Sequence, residues 1–138
     1  MPDSPAELTF SAPARPECLD RIHDLLAQLW QQHPEVSEGD RIMFTTAVLE
    51  VGNNILTHGT PITISVVVTA DAGQLEAGLT DDGAAAPVNL KPAVLPGDLA
   101  ESGRGLAIVQ MAVDEVTHHY ANGRNHWHLL RQCRSGTS

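Results

Sequence analysis

The stretch from Phe44 to Gly59, FTTAVLEVGNNILTHG, is mostly apolar and yet carries two polar side chains one helical turn apart. Glu50 and Asn54 are four residues apart, so a helix stacks them on the same face. A helix that is apolar around its circumference is normally buried, and burying a carboxylate or an amide is costly unless the group finds a partner. We therefore expect this helix to lie in the core, with the two polar groups facing a ligand.

The length and composition of the chain are those of one globular domain. It has 138 residues, of which 42% are hydrophobic and 18% charged, and it contains no apolar run long enough to span a bilayer. The net charge of -9 argues against nucleic acid and against an anionic membrane surface as partners. The first ten residues show no secretory signal, so we expect a single cytoplasmic domain over residues 1–138. Cys18 and Cys133 have no metal-type spacing, and we expect both to be reduced.

The hydrophobic periodicity predicts an α+β fold. The predicted elements, in order, are an edge strand at 6–12, a helix between Pro16 and Pro34, a helix from Ser37 as its N-cap to Gly59, strands at 62–69 and 75–80, a helix from Gly103, and two strands joined at Asn122-Gly123. This order predicts a two-layer sandwich in which a mostly antiparallel, mixed sheet carries helices on one face.

The segment at about 84–102 has three prolines and little regular pattern. A segment of this length within a small domain is typical of a functional lid or of a disordered piece. Its Lys91 is the only lysine in the chain and could reach a phosphate, although a solvated surface lysine is the simpler interpretation.

Asp81 ends the second of the predicted hairpin strands, and Gly83 follows where a ligand can approach the backbone closely. A carboxylate at a strand end can accept a hydrogen bond from the exocyclic amine of adenine. The alternative is an ordinary turn, because Asp-Asp-Gly after a strand is a common turn sequence. In either case we expect Asp82 to point to solvent.

Gly103 and Gly105 lie where the last predicted helix opens. Glycines at a helix start let backbone amides turn toward a phosphate, and the helix dipole favours negative charge there. The sequence has neither the GxGxxG spacing of a dinucleotide site nor the GK[ST] of a P-loop, so we set both of those nucleotide-binding folds aside.

Taken together, the E-x-x-x-N helix, the D-x-G strand end and the G-x-G-L helix start resemble the motifs of the GHKL superfamily of ATPases and kinases. Within it, the compact size, the short lid and the tail GLAIVQMAVDEVTHHYANGRNHWHL resemble the anti-sigma-factor serine/threonine kinases. The resemblance covers essentially the whole chain and implies the Bergerat-type ATP-binding fold. Ala85 and Ala107 depart from the pattern, since the family often has glycine at these positions.

The resemblance implies a role for each motif residue. Asn54 would be a ligand of Mg²⁺, and Glu50 would be the catalytic base for a substrate serine. Asp81 would hold the adenine of ATP, with Gly83 giving it room. The phosphate end would be lined by Gly103, Arg104, Gly105 and Leu106.

The resemblance also implies partners. The kinase would phosphorylate a serine or threonine of a small anti-sigma-factor antagonist, would bind and sequester a sigma factor, and would form a homodimer. A second hypothesis is a nucleotide-gated binding module in which ATP orders the lid and Glu50 is idle. A third, the detached catalytic half of a histidine kinase, is weaker because no phosphoacceptor helix domain accompanies it.

The last hairpin carries three histidines that could share one sheet face, namely His119, His126 and His128. Three clustered imidazoles can bind a transition metal. A solvated or partner-covered face is the simpler interpretation, because no carboxylate or cysteine completes a tetrahedral set. The opposite face is expected to be core, with Val116, His118, Tyr120, Trp127 and Leu129.

Overall fold

The computed structural model describes residues 7–57, 60–85 and 101–133, with the backbone alone for 101–104. Its elements are β1 (Leu8–Pro13), α1 (Cys18–Gln32), α2 (Glu38–Thr57), β2 (Thr63–Asp71), β3 (Gln74–Asp81), α3 (Glu101–Ala112), β4 (Glu115–Ala121) and β5 (Arg124–Gln132). The strand order is β1-β2-β3-β5-β4, and each of these described pairs is antiparallel. The predicted α+β class is confirmed, although the sheet is wholly antiparallel rather than mixed over the described strands.

Two tight turns set the register of the sheet. Ala72 and Gly73 connect β2 to β3, and Asn122 and Gly123 connect β4 to β5, all with positive φ. Two consecutive residues with positive φ form the turn whose twist matches that of antiparallel strands. The resulting register places Asp81 at the end of β3, between Ile64 of β2 and Asn125 of β5 on the core face of the sheet.

One sheet face and the apolar sides of the helices form a single core. Its fully buried side chains include Ile22, Leu26, Phe44, Val48, Val51, Val66, Leu79 and Leu129. The expectation that α2 lies in the core is confirmed, since it buries side chains along most of its length. No described helix has the length and apolarity that a membrane span requires. Neither Cys18 nor Cys133 forms a disulfide within the described residues.

The helix starts follow local capping chemistry. Ser37 is the N-cap of α2 as predicted, because its Oγ accepts the Asp40 N–H at 3.1 Å. The predicted start of α3 at Gly103 is wrong, since the helix begins at Glu101. A glycine costs about 1 kcal/mol in a helix relative to alanine, and packing of α3 against α2 offsets that cost. The predicted end of α2 at Gly59 lies outside the described residues.

A buried ion pair joins three elements at one end of the sheet. Arg131 on β5 contacts the Asp40 carboxylate through Nε at 3.0 Å and Nη2 at 2.9 Å. Its Nη1 also donates to the Ala112 carbonyl oxygen at 2.7 Å, at the C-terminal end of α3. Asp40 is 2% exposed and Arg131 is 8% exposed. The start of α2 and the end of α3 are therefore held at the same place on the sheet.

This anchor determines what lies at the opposite end of the sheet. From Asp40 to Asn54 the helix advances about 21 Å, and from Arg131 back to Asn125 the strand advances about 20 Å. Because α2 packs on β3 and β5, Asn54 arrives near the end of the sheet where Asn125 pairs with Asp81. The sequence-predicted site residues therefore gather at this end.

The last hairpin places His119 opposite His126 and Thr117 opposite His128, so the three histidines share one sheet face as predicted. The rings of His119 and His126 stack at 4.8 Å, and His128 pairs with Glu76 at 3.1 Å. Within the described part of the chain, no group of three or more side chains could hold a metal ion.

The opposite face of this hairpin is only partly core. Trp127 and Leu129 on β5 are buried, as expected, but Tyr120 is 47% exposed. The expectation fails at Tyr120 because it lies on β4, the edge strand of the sheet, where helix coverage is thin.

We expect Asp40→Ala to lower the free energy of unfolding by about 3–5 kcal/mol, because it leaves the Arg131 guanidinium buried without its countercharge. The matched control is Asp24→Ala on the exposed side of α1, expected to change the stability by about 0.5 kcal/mol or less. Urea denaturation of both variants measures the difference. Equal losses in the two variants would contradict this account of the anchor.

Candidate functional site

Glu50 and Asn54 lie on one face of α2 and point at the first turns of α3. A Cβ added to Gly105 would lie 2.8 Å from Glu50 Oε1 and 3.8 Å from Asn54 Oδ1. Glycine at position 105 lets the α3 backbone approach the Glu50 carboxylate without displacing it. Both side chains are partly buried, and within the described residues neither forms a hydrogen bond or an ion pair. The carboxylate and the amide are thus available to a ligand at the start of α3.

The other residues predicted for the phosphate end are only partly described. Gly103 and Arg104 belong to the first turn of α3, where the structure describes the backbone alone, so the role of Arg104 stays a prediction. Leu106 is partly buried and packs against the core. Of the predicted lid at about 84–102, residues 86–100 lie outside the described residues, and Lys91 with them.

Asp81 forms a second polar cluster at the end of β3. Its Oδ1 accepts the Gly83 N–H at 2.8 Å and an amide hydrogen of Asn125 at 3.1 Å. Among the described residues no hydrogen bond reaches Oδ2, so that oxygen can accept from a ligand. A Cβ on Gly83 would lie 3.0 Å from Asp81 Oδ1 and 3.2 Å from the Pro61 nitrogen, which explains why the residue is glycine.

Asn125 is a site residue that sequence reasoning missed. It is 2% exposed, and its Nδ2 donates to Asp81 Oδ1, to the Ala84 carbonyl at 2.8 Å and more weakly to the Gly83 carbonyl at 3.4 Å. His118 Nε2 lies 2.8 Å from its Oδ1. One signal could have found it. Asn125 lies two residues before Trp127, so both side chains share the core face of β5. A buried amide on that face requires polar partners.

Asp82 is exposed, in line with the prediction, and it also binds backbone. Its Oδ1 accepts the N–H groups of Ile62 at 2.8 Å and Thr63 at 2.9 Å. These bonds tie the end of β3 to the start of β2. The backbone N–H groups of Thr63 and Ile62 hold the pKa of the Asp82 carboxyl below its usual value, because they stabilise the ionised form.

A cavity of about 330 Å³ opens between α1 and α2 beside Glu50. Its lining residues are Leu19, Asp20, His23, Leu49, Glu50 and Asn53. Glu50 therefore borders two spaces, the approach of α3 at Gly105 and this cavity. A group entering the cavity can reach the carboxylate without passing through the cluster around Asp81.

A comparison with protein-family models matches residues 12–129 to the histidine kinase-like ATPase domain. The chain belongs to this family. Its ATPase domain is similar in fold to the crystal structure of the RsbU and RsbW domains of Rv1364c from Mycobacterium tuberculosis, with a TM-score of 0.66 and 18% identity. That match covers 93% of this chain and 32% of the other, so the ATPase domain spans about a third of the length of that protein. A comparison with curated protein sequences gives no match.

Membership of this family makes ATP the nucleotide of the ATPase domain. The two clusters have the polar groups that such a ligand needs. At the end of β3, Asp81 Oδ2 has no hydrogen-bond partner among the described residues. Beside the start of α3 lie the amide of Asn54 and the carboxylate of Glu50. Asp81 makes its hydrogen bonds with Gly83 and Asn125 and, within the described part of the chain, none with Glu50 or Asn54, so the clusters are separate.

We expect Gly105→Ala to weaken ATP binding about 5- to 150-fold, which corresponds to an overpacking cost of about 1–3 kcal/mol. The added methyl group would displace the Glu50 carboxylate, a flexible side-chain end, so the fold should survive. The control is Gly39→Ala in α2, where the nearest atom to a new Cβ is 4.0 Å away. Calorimetric titration with ATP, beside thermal unfolding, separates the two effects. Unchanged affinity in Gly105→Ala would contradict the close approach.

We expect Asp82→Asn to be less stable than the wild type near neutral pH, since the ionised carboxylate accepts two backbone N–H groups. Because the native pKa lies below the unfolded value of about 3.9, this contribution is present above that value and is lost as the pH falls through the native pKa. The stability difference should therefore close in acid. Denaturation at a series of pH values measures it, and a difference that stays constant down to the acid end would refute the assignment.

Proposed function

We propose that this chain is an ATP-dependent serine/threonine protein kinase that acts as an anti-sigma factor in a partner-switching circuit. The observation that carries the proposal is the position of Glu50. Its carboxylate has no partner among the described residues, lies against α3 at Gly105 and lines the cavity between α1 and α2. A base that faces a nucleotide on one side and an open cavity on the other can receive a protein hydroxyl.

The adenine end of the nucleotide is assigned to Asp81. Its Oδ1 is occupied by Gly83 and Asn125, and its Oδ2 remains for the exocyclic amine of adenine. A Cβ on Gly83 would lie 3.0 Å from Asp81 Oδ1, so glycine leaves the carboxylate undisturbed. Because Asp81 is buried, its carboxylate favours the amine of adenine, a donor of fixed direction, over water. The hydrogen bond would be strong because the carboxylate is charged.

The phosphate end is assigned to Asn54 and the first turns of α3, with Gly103, Arg104, Gly105 and Leu106. The Asn54 amide oxygen fits Mg²⁺, because it is a hard oxygen donor without a hydrogen bond among the described residues. When bound, Mg²⁺ neutralises phosphate charge. The N-terminal end of α3 also favours a negative group nearby.

In the proposed reaction, the acceptor hydroxyl oxygen forms a bond to the γ-phosphorus of ATP. The bond from that phosphorus to the β–γ bridging oxygen breaks, and ADP leaves. Glu50 takes the hydroxyl proton as general base. The cavity beside Glu50 gives the acceptor side chain access, and α2 keeps Asn54 one turn away on the nucleotide side.

The partners follow from the motif resemblance. The acceptor would be a serine or threonine of a small anti-sigma-factor antagonist, and the second partner would be a sigma factor that the kinase sequesters as a homodimer. The similar crystal structure contains an RsbW domain beside an RsbU domain, and at 18% identity that likeness concerns the fold alone. The family match and the motif set support an ATP-dependent regulator.

The second candidate is a nucleotide-gated binding module without catalysis. Asp81 and Asn54 would serve such a module as well as a kinase, since both act in nucleotide binding. Only Glu50 separates the two functions. Its access to the cavity favours the kinase, because a module that only binds ATP gains nothing from a carboxylate exposed there.

We expect Glu50→Gln to bind Mg-ATP within about threefold of the wild type and to transfer phosphate about 10²- to 10⁴-fold more slowly, the usual contribution of a general base. The control is Glu38→Gln, an exposed acid on the same helix. Transfer is followed with γ-labelled ATP onto proteins retained by the immobilised chain, with identification of the labelled serine or threonine.

The outcomes separate the two candidates. Lost transfer with preserved ATP binding in Glu50→Gln supports the kinase. If the wild-type chain binds ATP and retains a partner but transfers no phosphate to it, the kinase proposal fails and the binding module stands. Transfer by Glu50→Gln at the wild-type rate removes Glu50 as the base.

A further inference from the structure

The side-chain amide of Asn125 has its orientation fixed by its surroundings. Its Nδ2 faces the oxygens of Asp81, Gly83 and Ala84, at 3.1, 3.4 and 2.8 Å. A flipped amide would place its own oxygen against these acceptors and would lose every one of these hydrogen bonds. Nδ2 therefore points to the Asp81 turn, and Oδ1 points away from it.

His118 completes the arrangement from the edge strand. Since Oδ1 of Asn125 can only accept, the His118 Nε2 at 2.8 Å must carry the hydrogen and donate it. The His118 ring also packs on Trp127, with 4.7 Å between the ring centroids. His118 thus holds the amide in the orientation that Asp81 requires.

The position of Asp81 makes this support consequential. It is the last residue of β3, where the register places it between Ile64 and Asn125. The Gly83 N–H and the Asn125 amide both bind the same oxygen, Oδ1. Two donors on one oxygen fix the rotation of the carboxylate and leave Oδ2 in one place.

We propose that Asn125 is a positioning residue for base recognition, oriented by His118, and that the two together set the preference of the site for adenine. This inference rests on the part of the proposed function that assigns adenine to Asp81. Asn125 acts through Asp81 and through the Ala84 carbonyl, which it holds beside the same turn. Without it, the carboxylate loses a charge-assisted bond and its fixed direction.

The discriminating probe is inosine triphosphate, which carries a carbonyl oxygen where ATP carries the exocyclic amine. A fixed carboxylate accepts from the amine of ATP and repels the carbonyl of inosine triphosphate. A carboxylate free to rotate turns away from the carbonyl, so discrimination falls. The ratio of the two dissociation constants therefore reports how firmly the Asp81 carboxylate is held. A general loss of stability would not shift this ratio toward either nucleotide.

We expect Asn125→Ala to bind ATP about ten- to a hundredfold more weakly and to reduce the preference for ATP over inosine triphosphate by a similar factor, as for loss of a hydrogen bond to a charged group. Asp81→Asn serves as the reference for full loss of discrimination. Calorimetric titration with each nucleotide at saturating Mg²⁺ gives the ratio, and thermal unfolding shows that each variant is folded.

A second set of variants keeps the test independent of the buried Asn125 position. His118→Ala should lower the preference about two- to tenfold, and His118→Gln should restore it, since its amide can donate to Asn125 Oδ1. The control is His119→Ala, the neighbouring residue on the opposite face of β4. Nitrogen NMR of the His118 ring should show the hydrogen on Nε2.

Several results would overturn the proposal. They are an unchanged nucleotide ratio in a folded Asn125→Ala or His118→Ala, equal effects of His118→Ala and His119→Ala, or a His118 ring with the hydrogen on Nδ1 alone. A wild type that binds ATP but transfers no phosphate would end the kinase assignment and leave this inference to be judged on the ratio. A wild type that binds no ATP would end both.

Discussion

The guanidinium of Arg131 is withdrawn from water, and its contacts with Asp40 and the Ala112 carbonyl compensate for that loss. A buried charge that lost either partner would be costly, so these contacts resist any sliding of the helices. Through one side chain, β5 fixes the start of α2 and the end of α3. The geometry of the opposite end of the molecule, where both helices present polar groups, depends on this anchor.

The site occupies the free ends of elements whose other ends are anchored. Asn54 lies in the last turns of α2, Gly105 in the early turns of α3, and Asp81 at the end of β3. Glycine at 105 and at 83 permits backbone to approach the carboxylates at Glu50 and Asp81 closely. Neighbouring elements therefore hold these polar groups, while Glu50, Asn54 and Asp81 Oδ2 form no hydrogen bond among the described residues.

Local chemistry made most of the fold predictable. Asn122-Gly123 fixed the last hairpin, Ser37 fixed a helix start, and the periodicity gave the element order. Site residues separated by four positions or fewer were also predictable, because one helix turn or one strand end brings them together. Arg131 and Asn125 were not, since their partners Asp40 and Asp81 lie far away in sequence and become neighbours only through the strand order.

Asp40 and Glu50 are carboxylates on the same helix with very different surroundings. Asp40 is almost fully buried and is bonded to Ser37 and Arg131, so its charge is compensated within the protein. Glu50 is partly buried and forms no hydrogen bond or ion pair among the described residues. The α3 backbone passes so close that a Cβ added at Gly105 would lie 2.8 Å from Glu50 Oε1. Unlike Asp40, Glu50 lines the cavity that opens between α1 and α2. In the kinase that we propose, the missing partner of Glu50 would come with the nucleotide or with the acceptor hydroxyl.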